Sequence, residues 1–348
     1  MQVEAKITGI KYQPFLCKDL VEFDVQDLEK AIESHSQFLL KLKDKNKVAI
    51  SWWVSAKRTR SYPYPRVYNT LSFSGKRITI IPFYKDEGKE GDRDFLQWDT
   101  VSLMSLLGVY VIIGYYVSAE KSTRYDHKIT NQRFDYKYLL EKINNIVSYQ
   151  SDALHWNLEQ VGKIDKLGPL AIQHYQDISK KLSVEMHSTV SAKRRIEKLI
   201  KSKDAFMTLS RNLAKQAQHR ESVTLQPKEN LSGEKGIITI KNYLGGYYFF
   251  TADEIRIEGD NIELVEGKHS KSGSLPSEDD IKDGLLKMIL FTNLVEVKVD
   301  DKDYNPIAVL KLTVGDGINP ENFNAKQKEL FALLHTEAKT NNFRVELS

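Results

Sequence analysis

The spacing of apolar residues predicts a mixed α/β arrangement in the first part of the chain. Apolar positions at helical spacing predict an amphipathic helix over 28–42, and continuous apolar runs predict strands at 48–54, 77–83 and 109–117. Between the last two strands, the segment 95–107 again has helical spacing. A strand, a helix and a second strand in this order predict one parallel βαβ unit.

The pattern is helical from 136 to 221 and then returns to α/β. Ser191 is the predicted N-cap of a helix whose opposite face is basic, and a further helix is predicted to begin after Ser277. The remaining predicted elements are strands at 236–241, 247–257, 262–268, 295–299 and 307–314 and a final helix at 325–341. The chain is therefore predicted to be α/β (α+β), with three regions at 1–135, 136–220 and 221–348.

Composition narrows the class of protein. With 41% hydrophobic and 28% charged residues, the 348-residue chain is typical of a globular protein. It has no apolar run of membrane-spanning length and no signal-peptide pattern, which predicts a cytoplasmic protein without a membrane partner. The lone Cys17 excludes an internal disulfide framework and a cysteine-based zinc site.

The net charge of +4 is unevenly distributed. Between Lys180 and Arg220 there are eleven Lys or Arg residues against three Asp or Glu residues. Such a cluster is typical of a surface that binds a polyanion.

Asp253 and the tripeptide Glu266-Gly267-Lys268 form the most specific candidate site. They lie on two short predicted strands joined by a turn at Gly259-Asp260. Because side chains alternate along a strand, Glu266 and Lys268 share one face. An acidic residue of the neighbouring strand would give two carboxylates and one ammonium group, which can hold a hard divalent cation and activate water against a phosphodiester.

The order helix, strand, strand carrying Glu-x-Lys, helix, strand over roughly 221–314 resembles the PD-(D/E)XK nuclease superfamily, which includes many type II restriction endonucleases. The resemblance implies a mixed sheet flanked by helices in a restriction-endonuclease-like core. It implies that Asp253, Glu266 and the Gly267 carbonyl bind Mg²⁺, with Mn²⁺ as a substitute. It also implies that Lys268 positions or deprotonates the attacking water, and that Glu221 is an acidic residue beside the metal.

The chain departs from the family pattern next to Asp253. Ala252 stands where the pattern has proline, and Glu254 follows directly. Alternation sends Asp253 and Glu254 to opposite faces, so only one can enter the site. Asp253 is favoured, and the choice stays open at this point.

Basic and amide side chains in three stretches are predicted to contact DNA, because such groups bind phosphates and base edges. A solvated helix end followed by a loop is the alternative for 218–228, and an exposed turn is the alternative for 55–66. The predicted contacts are Lys57, Arg58, Arg60, Arg66, Lys193, Arg194, Arg211, Gln218, Arg220, Gln226, Lys228, His269 and Lys271.

An acidic run follows the predicted strand 77–83. It places six carboxylates within 86–99, so Asp94 or Asp99 with Glu120 is conceivable as a second metal centre. Interleaved basic residues favour a solvated loop and helix N-terminus instead. The eight histidines lack metal-ligand spacing, and the chain has no glycine-rich phosphate loop.

These patterns predict a Mg²⁺-dependent, sequence-specific DNA endonuclease of restriction–modification type. Region 221–348 would carry the chemistry, while 1–135 would recognise and 136–220 would grip duplex DNA. Cutting both strands predicts a homodimer, and a cognate DNA methyltransferase encoded nearby is the expected companion. The alternatives are a repair or junction-resolving nuclease of the same fold, a non-catalytic DNA-binding protein, and, more weakly, a hydrolase centred on 92–99.

Overall fold

The computed structural model describes residues 1–43, 46–57, 62–200, 234–242, 247–270, 275–314, 321 and 323–348. The chain forms two compact units. One combines Met1–Asp19 with Arg211–Ser348, and the other is Leu20–Ser210. These units do not coincide with the three predicted regions, because the first strand of the chain pairs with C-terminal strands.

The elements follow one another in this order. Up to residue 134 they are β1 (Gln2–Ile7), β2 (Glu22–Asp24), a 3₁₀ turn (Val25–Asp27), α1 (Leu28–Ser34), β3 (Gln37–Lys41), β4 (Lys47–Trp52), α2 (Pro63–Tyr68), β5 (Arg77–Pro82), β6 (Tyr84–Asp86), β7 (Arg93–Phe95), α3 (Trp98–Leu106), β8 (Val109–Gly114), β9 (Tyr116–Lys121) and β10 (Ile129–Phe134). The later elements are α4 (Tyr136–Ser148), α5 (Ala153–Gly162), α6 (Ile164–Leu182), α7 (Thr189–Ile200), β11 (Glu234–Asn242), β12 (Tyr247–Glu258), β13 (Asn261–Ser270), α8 (Glu278–Phe291), β14 (Val295–Val299), β15 (Lys302–Val314), α9 (Ala325–Asn341) and β16 (Phe343–Leu347).

The unit Leu20–Ser210 is built on a five-stranded sheet of order β2-β3-β4-β5-β8. β5 and β8 are parallel with α3 between them, which confirms the predicted βαβ unit. All six residues of β8 are buried. At this edge of the sheet, the Asn157 side chain of α5 accepts from the Val111 N–H at 2.7 Å, and Trp156 Nε1 donates to the Val111 carbonyl at 2.8 Å. Helix α5 thus satisfies backbone groups that an edge strand leaves unpaired.

Three local predictions in this unit need correction. The predicted helix 28–42 ends at Ser34, and 37–41 is a strand because Phe38 and Leu40 alternate with more exposed neighbours and pair with β4. The predicted strand 109–117 divides between β8 and β9. Ser191 lies in the first turn of α7, where its N–H donates to Ser188 Oγ at 3.4 Å, and is therefore not the N-cap.

The other unit contains a mixed sheet of order β13-β12-β11-β1-β14-β15-β16. β1 is parallel to β11 and antiparallel to β14. β13 and β15, which are not neighbours in this order, also pair with each other in parallel. α8 packs on β13 and β15, and α9 packs on β16. The prediction of a mixed sheet flanked by helices is therefore confirmed.

No helix within the described parts of the chain is both long enough and apolar enough to cross a membrane.

Candidate active site

The hairpin of β12 and β13 brings Asp253 and Glu266 together. Gly259, at φ 62°, makes the predicted tight turn, and the strands pair from Glu258–Asn261 to Glu254–Val265. One step beyond the last pair, Asp253 faces Glu266. The Gly267 N–H donates to Asp253 Oδ2 at 2.8 Å, which fixes the Asp253 carboxylate at the end of β13.

Two lysines hold the carboxylate of Glu266. Lys268 Nζ lies 2.9 Å from Glu266 Oε1 and donates to Asp283 Oδ2 at 2.6 Å. Lys287 Nζ donates to Glu266 Oε2 at 2.5 Å and to the Thr251 carbonyl at 3.2 Å. Glu266 and Lys268 therefore share a face, as predicted, and helix α8 contacts that face.

Helix α8 approaches the strands closely because of Gly284. A Cβ at this position would lie 2.6 Å from Leu310 Cδ1 and 3.2 Å from Lys268 Cε. Ser277 is the N-cap and accepts from the Asp280 N–H at 3.1 Å, as predicted. The close approach places Asp283 and Lys287, one turn apart, beside Lys268 and Glu266.

The electrostatics of the cluster follow from its burial. Burial and the neighbouring charge of Asp253 raise the pKa of Glu266, against the lowering effect of Lys268 and Lys287. Burial lowers the pKa of Lys268, but the charges of Glu266 and Asp283 together raise it above its ordinary value. When every group is ionised, three carboxylates and two ammonium groups leave the cluster with one negative charge.

Two carboxylates of this cluster are of the ligand type that a hard divalent cation takes, and both oxygens of Glu266 are paired with lysines. Mg²⁺ is commonly held by one or two carboxylates that leave room for waters and substrate phosphates. Asp253 and Glu266 supply two carboxylates at one position, and Asp253 and Asp283 are only partly buried. Across the described residues, no group of three or more His, Cys, Asp or Glu side chains could hold a metal. A metal at this position would therefore rely on these two carboxylates and on oxygen donors of other kinds.

No family model, curated protein or solved structure matches this chain. The chemistry of the site therefore has to follow from its own side chains.

Glu254 lies on the opposite face of β12 and is fully buried. Arg256 donates two hydrogen bonds to the Glu254 carboxylate, from Nε to Oε1 at 2.8 Å and from Nη2 to Oε2 at 3.0 Å. Lys311 Nζ lies 3.8 Å from Glu254 Oε2. Arg256 also reaches Glu346 at 3.0 Å. Asp253 therefore lies beside Glu266, whereas Glu254 forms ion pairs with Arg256 and Lys311 on the other face of the sheet.

The predicted DNA contacts that the structure describes fall into two groups. Lys57, Lys193 and Arg194 are exposed on the Leu20–Ser210 unit. Arg66 is half-buried instead: its Nη1 donates to the Trp52 carbonyl at 2.8 Å, and its guanidinium carbon lies 4.9 Å from the Trp52 ring centroid.

His269 points away from Lys268. Its Nδ1 lies 3.0 Å from Thr313 Oγ1, on the face of β13 opposite the candidate site. Predicted site residues outside the described parts of the chain are Arg58, Arg60, Arg211, Gln218, Arg220, Glu221, Gln226, Lys228 and Lys271.

Within the acidic run 86–99, Glu90 and Asp92 are exposed, as a solvated loop predicts, but Asp86 is buried. Asp86 accepts from Tyr84 Oη at 2.5 Å and lies 2.8 Å from His187 Nδ1. Asp94 accepts from Ser55 Oγ at 2.6 Å, whereas Glu120 accepts from Asn131 Nδ2 at 2.7 Å. Asp94 and Glu120 therefore have separate protein partners. The side chain of Asp99 lies outside the described residues.

Asp283 and Lys287 are site residues that the sequence interpretation missed. Their spacing of four residues, on either side of Gly284 in an amphipathic helix, was the available signal. Such pairs are common on solvated helix faces, so their spacing alone does not identify a site.

Proposed function

We propose that this chain is a Mg²⁺-dependent endonuclease that hydrolyses phosphodiester bonds of duplex DNA, of the restriction type, with a restriction-endonuclease-like core in the unit containing β12, β13 and α8. One observation carries the proposal. Asp253, Glu266 and Lys268 meet on one face of adjacent strands, with two carboxylates beside one ammonium group.

The carboxylates of Asp253 and Glu266 are oriented by different hydrogen-bond donors. Asp253 is oriented by the Gly267 N–H and is partly exposed, so it can meet a solvated cation first. Glu266 is 2% exposed and is oriented by Lys268 and Lys287. A bound Mg²⁺ supplies Lewis acidity toward the scissile phosphate and lowers the pKa of water. Asp253 and Glu266 would hold it, and a cation here would offset the repulsion that raises the pKa of Glu266.

Lys268 acts in this proposal as a fixed ammonium group. Because the pKa of Lys268 is raised by Glu266 and Asp283, its charged form predominates at neutral pH. A charged lysine cannot accept a proton from water, so the electrostatic role is favoured over the role of general base. It would orient the attacking water by hydrogen bonding and stabilise negative charge that develops on the phosphate.

Asp283 and Lys287 are positioning residues. Asp283 holds the Lys268 ammonium at 2.6 Å, and Lys287 holds the second oxygen of Glu266 at 2.5 Å. Both come from α8, so the helix and the hairpin must remain packed for the site to keep its geometry.

DNA binding and assembly extend the proposal beyond the site. The exposed Lys57, Lys193 and Arg194 would contact backbone phosphates. A cut through both strands requires two sites, which a homodimer would supply. A cytoplasmic location and a cognate DNA methyltransferase encoded nearby belong to the same proposal.

Incubation of the purified full chain with unmethylated phage DNA tests the proposal. Discrete fragments with Mg²⁺ or Mn²⁺, and none with EDTA, are expected. Branched or damaged DNA in parallel separates the alternatives, since preferential cleavage of those substrates would favour a repair or junction-resolving nuclease. Binding without cleavage under every metal condition would overturn the nuclease proposal and favour a DNA-binding protein.

The affinity for Mn²⁺ is expected to rise with pH through a range above the ordinary glutamate pKa of 4.5. Burial and Asp253 raise the pKa of Glu266, so at lower pH Mn²⁺ must displace a proton, whereas at higher pH the carboxylate is already ionised. Calorimetric titration from about pH 5 to about pH 8 would measure both the affinity and the proton release. Glu266→Gln should bind weakly with no such pH dependence. A pH-independent Mn²⁺ affinity in the unaltered chain would count against Glu266 as a ligand.

A further inference from the structure

A cleft in the Leu20–Ser210 unit is lined by none of the residues used for the proposed chemistry. It has a volume of about 320 Å³, within the range of ligand pockets, which is roughly 300–1,000 Å³. Its walls come from the end of β4, from α1, and from β10 with the start of α4. The lining side chains that matter are Trp52, Phe134, Tyr136, Asn131, Arg133 and Glu33.

Three aromatic rings line this cleft. Trp52 and Phe134 meet edge to face, with centroids 6.3 Å apart and planes at 86°. Two further contacts orient Trp52. The guanidinium carbon of Arg66 lies 4.9 Å from its ring centroid, and Trp52 Nε1 donates to the His35 carbonyl at 2.8 Å. Tyr136 is half-buried, and burial with the nearby Glu33 raises its pKa to about 12, so it is a neutral phenol donor at neutral pH. Phe134 is itself buried and stacks on Tyr116, which leaves the partly exposed Trp52 and Tyr136 to contact a flat ligand.

The polar groups of the cleft are exposed and are paired with one another. Arg133 Nε lies 3.0 Å from Glu33 Oε1, and Arg133 Nη2 lies 3.3 Å from Glu120 Oε1. Asn131 has a left-handed backbone at φ 48°, at an irregularity in the pairing of β9 with β10, and its amide nitrogen donates to Glu120. This bond leaves the Asn131 side-chain oxygen as an acceptor beside the guanidinium donors of Arg133.

We propose that this cleft binds a nucleobase. Aromatic rings stack on the π-face of any base, and amide, guanidinium and carboxylate groups are the side chains that recognise base edges by hydrogen bonding. A simple anion is disfavoured because Glu33 contributes its own negative charge to the wall and already pairs with Arg133. A purely apolar ligand would leave the polar groups of the cleft, Asn131 and Arg133 with Glu33, unused.

The base could be presented by an unpaired DNA strand or as a free nucleoside, because both carry the same planar ring with the same polar edge. In a duplex the base would have to leave the stack to enter the cleft. The proposal goes beyond the nuclease function and needs no cleavage, because it concerns binding by a different unit of the chain.

Binding measured in EDTA tests the cleft independently of any nuclease activity. The probes are short fluorescent single-stranded oligodeoxynucleotides, a matched strand in which the bases are replaced by abasic sites, and free deoxynucleosides. We expect the base-containing strand to bind about tenfold or more tightly than the abasic strand, as base–aromatic stacking predicts. Binding of strands alone would assign the base to DNA, and binding of deoxynucleosides as well would assign it to a free nucleoside.

Tyr136→Leu should remove most of this preference, because it removes a ring at the first turn of α4 and leaves a good helix former. Tyr125→Leu is the matched control, since Tyr125 is 53% exposed and does not line the cleft. Asn131→Gly keeps the left-handed backbone and removes the amide, so it should alter the ranking among the four bases. The proposal is overturned if base-containing and abasic strands bind equally, or if Tyr136→Leu binds as the unaltered chain does while melting at the same temperature.

Discussion

Glu266→Gln is expected to reduce Mg²⁺-dependent cleavage of duplex DNA by about a thousandfold or more, on the scale of several kcal/mol that a positioned metal contributes to catalysis. The amide has nearly the shape of the carboxylate and can still accept from Lys287. It lacks the charge that a divalent cation and Lys268 require. The Lys268–Asp283 ion pair at 2.6 Å remains, and Lys287, which loses its charged partner, keeps the Thr251 carbonyl at 3.2 Å, so the folding of the variant has to be measured with its activity.

Glu263→Gln is the matched control for that substitution. Glu263 lies on the same strand but on the opposite face, where it pairs with Arg256 at 3.3 Å and Arg344 at 2.7 Å. Single-turnover cleavage of the same DNA, with circular dichroism of each variant, compares the two. Equal activity of Glu266→Gln and the unaltered chain would eliminate Glu266 from the chemistry. Equal loss in both variants would show that the first effect is structural.

The hairpin that carries the site was predictable because its signals are local. Gly259-Asp260 marks the turn, the period of two assigns faces to Glu266 and Lys268, and Ser277 marks the start of α8. Each signal depends on a few neighbouring residues and on backbone preferences that tertiary contacts do not override here. The helix α9 was predicted with its observed bounds, Ala325–Asn341, for the same reason.

The remaining features depend on contacts that sequence spacing does not encode. β1 enters the sheet between β11 and β14, more than two hundred residues away, and its own pattern gives no partner. The segment 28–42 has apolar spacing that suits a helix, but pairing with β4 makes its second half a strand. The sequence also left open whether Asp253 or Glu254 faces the site. In the structure Glu254 pairs with Arg256, which also contacts Glu263 of β13 and Glu346 of β16.

Arg256→Met is expected to lower the free energy of unfolding by about 3 kcal/mol, near the cost of removing one partner from a buried ion pair. The Glu254 carboxylate has no solvent exposure and would lose both of its contacts with Arg256, while Lys311 Nζ lies farther away, at 3.8 Å. Chemical denaturation monitored by circular dichroism measures the change. Arg344→Met is the matched control, because Arg344 is 57% exposed and its pair with Glu263 should contribute at most about 1 kcal/mol.

A second substitution separates the lost charge partner from lost packing. In Glu254→Gln/Arg256→Met the buried group is neutral, so the double variant should recover part of the stability that Arg256→Met loses. No recovery would mean that the arginine side chain acts through packing. A loss well below about 1 kcal/mol in Arg256→Met would mean that Glu254 does not depend on its pair with Arg256. The assignment of Asp253 as the ligand does not depend on that outcome, because Glu254 lies on the opposite face of β12, and Asp253→Asn tests it directly.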